Sequence, residues 1–295
     1  HTGKPVLIFA PLAVSNQTQT EGDKFGIPVN IVARQNEIIN GVNITNYEKL
    51  HHFSPDGLAG IVLDESSILK GIDGKTRKLL TEFAQLIPYR LCCTATPSPN
   101  DLTELTRHAE FLGIADEKEI KALFFTNAGG MTQKWRLKGH AREAFWKWMS
   151  EWSVALRKPS DLGYDDNGFI LPGMHMHEHV ISGIIPNGYL VPVVARTMSE
   201  RRAARRASLD DRVQEAADLV NNSDEPWLLW CDLNKESEAL AKAIPDAVEV
   251  AGRHSDEHKK DAMMGFTKGK YRVLVTKPSI AGFGMNWQHC ARAAY

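Results

Sequence analysis

Short apolar runs alternate with amphipathic stretches along most of the chain. In the first half, five apolar runs predict strands, at residues 5–11 (PVLIFAP), 29–33, 42–47, 60–65 (GIVLDE) and 89–96 (YRLCCTAT). Residues 74–87 lie between two of them and have helical spacing. Continuous apolar strands separated by helices are typical of a mostly parallel sheet covered on both faces. The pattern therefore predicts an α/β fold, in which ligands bind at the carboxyl ends of the strands.

The same alternation returns in the second half of the chain. It predicts helices at 199–221, 234–244 and 256–267, and strands at 226–232, 247–251 and 271–277. Between the halves, residues 140–158 place Phe145, Met149, Trp152 and Leu156 at helical spacing, which indicates core packing. We predict a first lobe at 1–157 with this helical extension, a linker or hinge at 158–185, and a second lobe at 186–295.

Composition limits the class of protein. The chain has 295 residues, 43% hydrophobic and 24% charged, which fits about two globular domains. Its net charge of -1 provides no global basic field, so any contact with a polyanion has to come from local patches. The four cysteines, Cys92, Cys93, Cys231 and Cys290, lack zinc spacing, and we predict reduced core thiols in a cytosolic protein. No apolar run predicts a membrane span.

Two adjacent acids, Asp64 and Glu65, end the fourth predicted strand. Carboxylates this close raise each other's pKa unless a cation or hydrogen bonds stabilise them. An aspartate at this place can hold Mg²⁺, and a glutamate can orient and deprotonate an attacking water. The alternative is an ordinary helix start, where the helix dipole favours acids. The turn Thr94, Ala95 and Thr96 ends the next strand, so it and the acids can share one crevice.

Five short motifs follow one another in the order found in superfamily-2 helicases and translocases. They are APLAV (10–14, motif Ia), ITNYEKL (44–50, motif Ib), LDES (63–66, Walker B), TATP (94–97, with Asn100 and Glu104, motif III) and AGFGMNWQ (281–288, motif V). Ile68, Leu69 and Lys70 resemble the Swi/Snf-type extension of Walker B. Over nearly its whole length the chain resembles the Swi/Snf-like branch and its phage-type DEAD/DEAH-box relatives.

This resemblance implies two RecA-like α/β lobes with mainly parallel sheets, each truncated at an outer end. It also implies that ATP with Mg²⁺ binds between the lobes and that its hydrolysis drives movement on single- or double-stranded DNA. Asp64 would be the Mg²⁺-linked acid and Glu65 the residue that activates water. Nucleotide binding and coupling would fall to Thr94, Ala95, Thr96, Gly282, Gly284 and Asn286. DNA contacts would come from Pro11, Leu12, Thr45, Asn46, Tyr47, Thr276 and Lys277. Individually, each of these residues is equally compatible with an ordinary turn or strand end.

A phosphate-binding loop is the motif that the resemblance leaves unmatched. No G-x-x-x-x-G-K-[ST] string occurs in the sequence, and in TGKP at 2–5 Pro5 stands where the hydroxyl residue belongs. We expect the loop to lie before His1 and motif VI to lie after Tyr295. A fragment of this kind would neither bind nor hydrolyse ATP well by itself.

Two further clusters have open interpretations. His175, His177 and His179 alternate in HMHEHV and can be zinc ligands, but an exposed strand face is the better interpretation. Arg201, Arg202, Arg205 and Arg206 lie close together in a predicted helix. They can contact phosphates, or they can form a solvated face paired with Asp210 and Asp211.

The sequence therefore predicts part of an ATP-dependent DNA helicase or translocase, cytoplasmic, in a host cell if phage-encoded, and of unknown oligomeric state. One alternative is a catalytically silent scaffold that binds DNA or a protein. Another is a metal-dependent nuclease built on Asp64 and Glu65, which lacks the additional carboxylates of a two-metal site.

Overall fold

The computed structural model describes residues 3–12, 14–70, 74–127, 135–181, 194–282 and 284–295. The chain forms two compact units, His1–Met174 and His175–Tyr295. The division falls within the segment 158–185 that the sequence marks as a linker, and the three domain bounds given above stay a prediction. Within the described residues, no helix is both long and apolar enough to cross a membrane.

Unit 1 is built on a five-stranded parallel sheet with the order β2-β3-β1-β4-β5. Its strands are β1 Pro5–Ala10, β2 Val29–Ile31, β3 Gly41–Asn46, β4 Gly60–Asp64 and β5 Tyr89–Cys93. The α/β fold with parallel sheets that the apolar runs predict is confirmed. β1 lies at the centre, and its residues Val6 to Phe9 pair with Gly60 to Leu63 of β4.

Helices surround this sheet, and a small antiparallel hairpin lies in the second part of unit 1. The helices are α1 Ser15–Lys24, α2 Lys75–Ala84, α3 Glu104–Leu112, α4 Glu117–Phe124 and α5 Arg142–Ser150, and the hairpin strands are β6 Phe125–Asn127 and β7 Trp135–Leu137. Short 3₁₀ turns include 47–52 and 66–70. The main core packs Leu7 and Phe9 of β1 against Leu63 of β4 and Leu80 of α2, all four fully buried.

The edge strand β5 is less buried than its apolar sequence predicts. Tyr89 is 64% exposed and Leu91 is 52% exposed, while Arg90 and Cys92 between them are half-buried. The described residues therefore cover one face of β5 and leave the other open. All four cysteines are free thiols, but only Cys231 is fully buried and Cys93 is exposed. The prediction of a core thiol is wrong for Cys93, because its side chain lies on the open face of β5.

Unit 2 is built on a four-stranded parallel sheet with the order β11-β8-β10-β9. Its elements are α6 Met198–Ala207, α7 Leu209–Asn221, β8 Trp227–Trp230, α8 Asn234–Ala243, β9 Ala247–Val250, α9 Asp256–Thr267, β10 Val273–Thr276, α10 Pro278–Ala281 and β11 Arg292–Ala294. Val273 and Val275 of β10 are fully buried and pack in a core with Ile244 and with Val220 of α7.

Three predicted elements differ from the structure. The helix expected at 199–221 is two helices that meet at Ser208, whose backbone leaves the helical region and whose Oγ donates a 3.0 Å hydrogen bond to the Ala204 carbonyl oxygen. The helix expected at 140–158 ends at Ser150, which leaves Leu156 52% exposed. HMHEHV is an exposed irregular segment, not a strand, and within it His179 Nδ1 lies 2.9 Å from Glu215 Oε1.

The aromatic cluster around α5 provides a stability test. Phe145 is fully buried and its ring packs against those of Phe124, Phe125 and Trp148. We expect Phe145→Ala to lower the free energy of unfolding by about 3–5 kcal/mol, since it leaves a cavity in this cluster. The matched change Leu156→Ala, from the same predicted apolar stripe, is expected to cost less than about 0.5 kcal/mol. Urea unfolding followed by tryptophan fluorescence measures both, and equal costs would contradict this packing.

Candidate functional site

The carboxyl ends of four parallel strands meet at one edge of the unit 1 sheet. β1 pairs with β3 on one side and with β4 on the other, and β5 pairs with β4. The segments that leave this edge begin at Pro11, Tyr47, Glu65 and Thr94. The structure thus gathers the first-lobe candidates at one edge, because parallel strands all end there.

The acid pair lies at the centre of this edge. Asp64 is the last residue of β4, pairs in register with Cys93 of β5, and is half-buried. Among the described residues, Glu65 is the one non-glycine residue with a positive φ, at 54°. Its N–H donates a 3.1 Å hydrogen bond to Asp64 Oδ1. A left-handed glutamate costs about 1–2 kcal/mol, so the fold tolerates local strain where the chain turns at the acids.

Both carboxyl groups hold their protons more tightly than usual. Burial raises the pKa of Asp64, and the hydrogen bond from the Glu65 N–H offsets part of that rise. Burial raises the pKa of Glu65 too, and the charge of Asp64 adds to it. The carboxyl groups therefore lie in surroundings that lack a compensating positive charge among the described residues, which is the setting that a bound cation would reverse.

The donor set suits a Mg²⁺ ion that arrives with phosphates. Mg²⁺ commonly uses one or two carboxylates, keeps several waters and takes its other ligands from substrate phosphates. Asp64 can supply such a carboxylate. Within the described part of the chain, no cluster of three or more His, Cys, Asp or Glu side chains forms a protein-only metal cage. That observation gives no support to the nuclease alternative, which needs further carboxylates.

Tyr47 ties the end of β3 to the end of β4. Its hydroxyl donates a 2.6 Å hydrogen bond to the Asp64 carbonyl oxygen, and its ring stacks on Phe9 of the intervening β1 at 6.1 Å. Burial, with the charge of Asp64, raises the pKa of Tyr47, so the hydroxyl stays protonated and remains a donor. The ring is 7% exposed. In the structure Tyr47 thus supports the acid strand, and the DNA contact expected of it stays a prediction.

Thr45 and Asn46, the other two candidates on β3, are also buried. They are 1% and 5% exposed, and within the described residues Thr45 Oγ1 and Asn46 Oδ1 have no hydrogen-bond partner. A buried polar atom without a partner costs about 1–3 kcal/mol. The end of β3 therefore carries two unsatisfied acceptors, and neither reaches solvent in this structure.

The remaining unit 1 candidates occupy turns. Thr94 Oγ1 accepts a 3.0 Å hydrogen bond from the Thr96 N–H, and this bond closes the bend after β5. The Pro11 carbonyl oxygen accepts a 3.0 Å bond from the Val14 N–H after β1. Pro11, Leu12 and Thr94 are half-buried, whereas Ala95 and Thr96 are exposed. Turn formation thus accounts for the hydroxyl of Thr94, while Thr96 keeps an exposed side chain.

Helix α3 holds the segment that follows the acids, which sequence reasoning missed. His108 Nδ1 lies 3.1 Å from the Glu104 carbonyl oxygen, and Nε2 lies 3.2 Å from Ser66 Oγ. Burial lowers the pKa of His108, so the ring is neutral. Because a carbonyl oxygen only accepts, Nδ1 carries the proton and Nε2 accepts from the Ser66 hydroxyl. His108 therefore fixes the residue directly after Glu65.

Two more buried polar residues of α3, Arg107 and Glu104, also hydrogen-bond to neighbouring segments. The Arg107 guanidinium donates to the Lys70 carbonyl oxygen and is 3% exposed. Glu104 Oε1 accepts a 2.8 Å hydrogen bond from Asn100 Nδ2. The 66–70 turn is thus held at both ends by α3. The available sequence signal is the adjacent pair Arg107 and His108 within the apolar-rich stretch 102–112.

An ion network anchors α3 to its neighbours α2 and α4. Glu117 of α4 lies 2.8 Å from Arg77 of α2, 3.4 Å from Arg107 and 2.6 Å from Lys121. Burial alone would raise the pKa of Glu117, but hydrogen bonds from Lys121 and Arg77 lower it below its usual value. Arg77 also lies 3.4 Å from Glu110, whose pKa is raised by burial and by the charge of Glu117.

The unit 2 candidates lie at the carboxyl end of β10. Thr276 is fully buried and its Oγ1 donates a 3.0 Å hydrogen bond to the Val250 carbonyl oxygen at the end of β9. In this structure its hydroxyl joins two strands and does not reach solvent. Lys277 follows as the N-cap of α10 and is half-buried. Of this predicted pair, Lys277 is the one with an accessible side chain.

Two glycines shape the loop after α10. Gly282 donates a 2.9 Å hydrogen bond to the Pro278 carbonyl oxygen, and a Cβ at this position would lie 2.3 Å from that oxygen. Gly284 has a φ of 66°, which a side chain disfavours. Asn286 is exposed, whereas Phe283 lies outside the described residues. The placing of this loop against the acid pair of unit 1 stays a prediction.

Comparison with known proteins supports the fold. No protein-family model matches the chain, and no curated protein matches it. Among solved structures, one of S. cerevisiae Dbp5 bound to RNA and ADP BeF3 is similar at 11% identity, with a TM-score of 0.52. The match covers 99% of this chain and 62% of the Dbp5 chain. A variant of the same yeast protein with the same ligands matches at 12% identity, with a TM-score of 0.49.

The chain therefore has an α/β fold with parallel sheets that matches RecA-like lobes. It spans less than two thirds of the length of the Dbp5 chain that it resembles. At 11% identity the likeness establishes the architecture and leaves the activity to be proposed.

The ion network predicts a pH-dependent stability. Because the pKa of Glu117 is lowered on folding, its contribution is complete above the unfolded value of 4.5 and is lost as pH falls through the folded value. We expect Glu117→Gln to lower the free energy of unfolding at pH 7 by about 3 kcal/mol, the low end for a buried ion pair. The difference in the free energy of unfolding between wild type and Glu117→Gln should shrink as pH falls from about 5 to 3.

Glu119→Gln on the same helix is the matched control, since Glu119 is exposed. Denaturant unfolding at several pH values measures both variants. A deficit for Glu117→Gln that is the same at pH 7 and pH 3 would show that the lost carboxylate charge is not the cause.

Proposed function

We propose that this chain carries the hydrolytic and coupling elements of a nucleic-acid-dependent ATPase of the superfamily-2 helicase type. The observation that carries the proposal is the half-buried acid pair at the carboxyl end of β4, in a RecA-like sheet, beside the turn that follows β5. A parallel sheet of this kind binds its ligand at the carboxyl ends of the strands, so the acid pair would face the phosphates of a bound nucleotide. Most of the other candidate residues also lie at the carboxyl edge of the parallel sheet in their own unit.

In this proposal the two acids have separate roles. A bound Mg²⁺ ion would neutralise charge on the ATP phosphates, and Asp64 would hold it. Glu65 would accept a proton from the water that attacks the γ-phosphorus, as the bond to the ADP oxygen breaks. Its raised pKa makes it a stronger base than an exposed glutamate. Tyr47 and His108 would position the acids through Asp64 and Ser66.

Coupling and nucleic-acid contact are assigned to the flanking segments. Thr94, Ala95 and Thr96 would relay nucleotide state, and the loop of Gly282, Gly284 and Asn286 would take part from unit 2. Contacts to the phosphodiester backbone would come from Pro11, Leu12, Thr45, Asn46, Tyr47, Thr276 and Lys277. Thr45, Asn46 and Thr276 would have to become exposed first, since all three are buried. The Thr45 hydroxyl and the Asn46 side-chain oxygen, which lack partners among the described residues, support such a change: on exposure water would bond both, and the hydroxyl could donate to a phosphate oxygen.

We propose that the nucleic acid is DNA and that ATP hydrolysis drives translocation along it. The proposed location is the cytoplasm. The Swi/Snf-like residues Ile68, Leu69 and Lys70 after the Walker B motif support DNA. RNA is the alternative, because the Dbp5 structure of similar fold is bound to RNA. Contacts to the backbone distinguish the two polymers only through the sugar, so both have to be tested.

A catalytically silent scaffold is the second candidate function. It is favoured by one observation, the absence of a G-x-x-x-x-G-K-[ST] string from the 295 residues. A scaffold of this kind would bind nucleic acid or a protein through the same fold without turnover.

The natural full-length gene product distinguishes the two functions. We expect its ATPase to rise on addition of DNA, and Glu65→Gln to lower the stimulated rate by at least about 100-fold, since general-base catalysis contributes at least that much. Nucleic-acid affinity should stay unchanged, and Glu119→Gln should leave the rate unchanged. ATPase assays with single- and double-stranded DNA and with RNA measure this. Undiminished ATP turnover by Glu65→Gln would remove Glu65 from the mechanism. Absence of ATP turnover by the unmutated full-length gene product would favour the scaffold.

The 295-residue chain by itself is expected to bind and hydrolyse ATP no better than the background of the assay, since its sequence has no phosphate-binding loop. Titration with a fluorescent ATP analogue and a phosphate-release assay check this. Turnover well above a boiled control would contradict it.

A further inference from the structure

Helix α6 of unit 2 lies outside the packed core. It has no buried residue, and every position from Arg201 to Ala207 is exposed. A helix that is polar all round does not form in order to bury an apolar face. Its only large apolar residue, Met198, is itself 65% exposed. Something other than the core of unit 2 therefore accounts for its composition.

The arginines of α6 share one side of the helix. Arg201, Arg202, Arg205 and Arg206 follow the spacing i, i+1, i+4 and i+5, which spans about 140° at 3.6 residues per turn. With Glu200 they leave a local excess of positive charge in a chain whose net charge is -1. Like charges at i, i+4 destabilise an isolated helix, so this pattern opposes folding unless an anion offsets it.

Local contacts nevertheless fix α6 in place. Thr197 and Glu200 form a capping box at its start. Arg205 forms an ion pair with Asp232, just after β8, and Arg212 Nη2 donates a 3.0 Å hydrogen bond to the Arg205 carbonyl oxygen. The last turn of α6 is thereby held at the carboxyl edge of the unit 2 sheet, the edge where Lys277 also lies.

The pairing with Asp210 and Asp211, expected from the sequence if this face is merely solvated, is absent from the described ion pairs. Arg205 pairs with Asp232 instead. Within the described residues, Arg201, Arg202 and Arg206 have no ion pair, and Glu200 accepts its bonds from the N–H groups of Arg196 and Thr197. Three exposed guanidinium groups thus lie on one side of α6 without an ion pair among the described residues.

We propose that the arginine surface of α6, formed by Arg201, Arg202 and Arg206, binds the phosphodiester backbone of a nucleic acid, with Arg205 as a positioning residue. This deepens the function proposed above by adding a contact surface on unit 2. The five-residue step from Arg201 to Arg206 rises roughly 7.5 Å along the helix, about the rise of two nucleotides along the axis of a duplex. A nucleic acid is favoured over a protein partner because the surface presents three guanidinium groups without ion pairs in the described part of the chain and only one large apolar side chain, Met198.

The test compares two triple variants of the full chain. In one, Arg201, Arg202 and Arg206 are changed to Gln; in the control, three exposed lysines of the same unit, Lys235, Lys242 and Lys268, are changed to Gln. Both remove the same charge. Fluorescence anisotropy with labelled single-stranded and double-stranded oligonucleotides gives the affinity across a range of salt concentrations. Circular dichroism and thermal unfolding check that both variants fold.

The arginine variant is expected to bind at least about tenfold more weakly than wild type near 0.1 M salt. The slope of log affinity against log salt should fall by about 2 for single strands and nearly 3 for duplexes, because three phosphate contacts are lost. The lysine variant should keep the wild-type slope. Equal losses in both variants would show a general charge effect and overturn the proposal.

Other outcomes separate this inference from the proposed function. Wild-type binding that the arginine changes do not affect would overturn the arginine surface and leave the ATPase proposal standing. Equal competition by an acidic polypeptide, or a change in oligomeric state of the arginine variant, would assign the surface to a protein partner instead. In the natural full-length gene product, loss of DNA-stimulated ATPase by Glu65→Gln with unchanged oligonucleotide binding would show that the arginine surface binds independently of the acid pair. A wild-type chain that binds no oligonucleotide would overturn the inference outright.

Discussion

The parallel pairing of β1 with both β3 and β4 is the constraint on which the unit 1 site depends. It places three strand ends side by side at one edge, with β5 extending that edge beyond β4. The Tyr47 hydroxyl can reach the Asp64 carbonyl across the end of β1 only because this register is kept. Slipping one strand by a single residue would turn its apolar side chains away from the core, so the core itself enforces the position of the acids.

Helix α3 adds a second constraint, and it is a polar one. Its buried face carries a histidine, an arginine and a glutamate, each satisfied by a specific partner. Buried polar networks are costly when incomplete, so they define one arrangement of the segments they join. Here they join the turn after the acids to the segment after the Thr-Ala-Thr bend. A shift in either segment would break several hydrogen bonds together, which is a physical basis for coupling the two.

The two units treat their strand ends differently. In unit 1 the acids and the bend after β5 keep partial exposure, whereas in unit 2 the hydroxyl of Thr276 is buried against the end of β9. Unit 2 also carries a cluster of exposed arginines on α6, outside the sheet, where the ion pair of Arg205 with Asp232 holds the helix to the sheet edge. In the two proposals, hydrolysis is assigned to the half-buried sheet edge of unit 1 and nucleic-acid contact to the exposed helix α6.

The sequence by itself determined the strands of the two parallel sheets except β11, about half of the helices and the α/β class, because apolar periodicity reflects which faces are buried. It also identified the acid pair and the glycines, whose residue types are tied to charge and backbone conformation. Only the tertiary structure decided what each side chain does: that β5 is an open edge, that Thr45, Asn46 and Thr276 are buried, that α3 clamps the acid segment, and that Arg205 pairs with Asp232. These depend on partners far apart in the chain, and local pattern carries no information about such pairs.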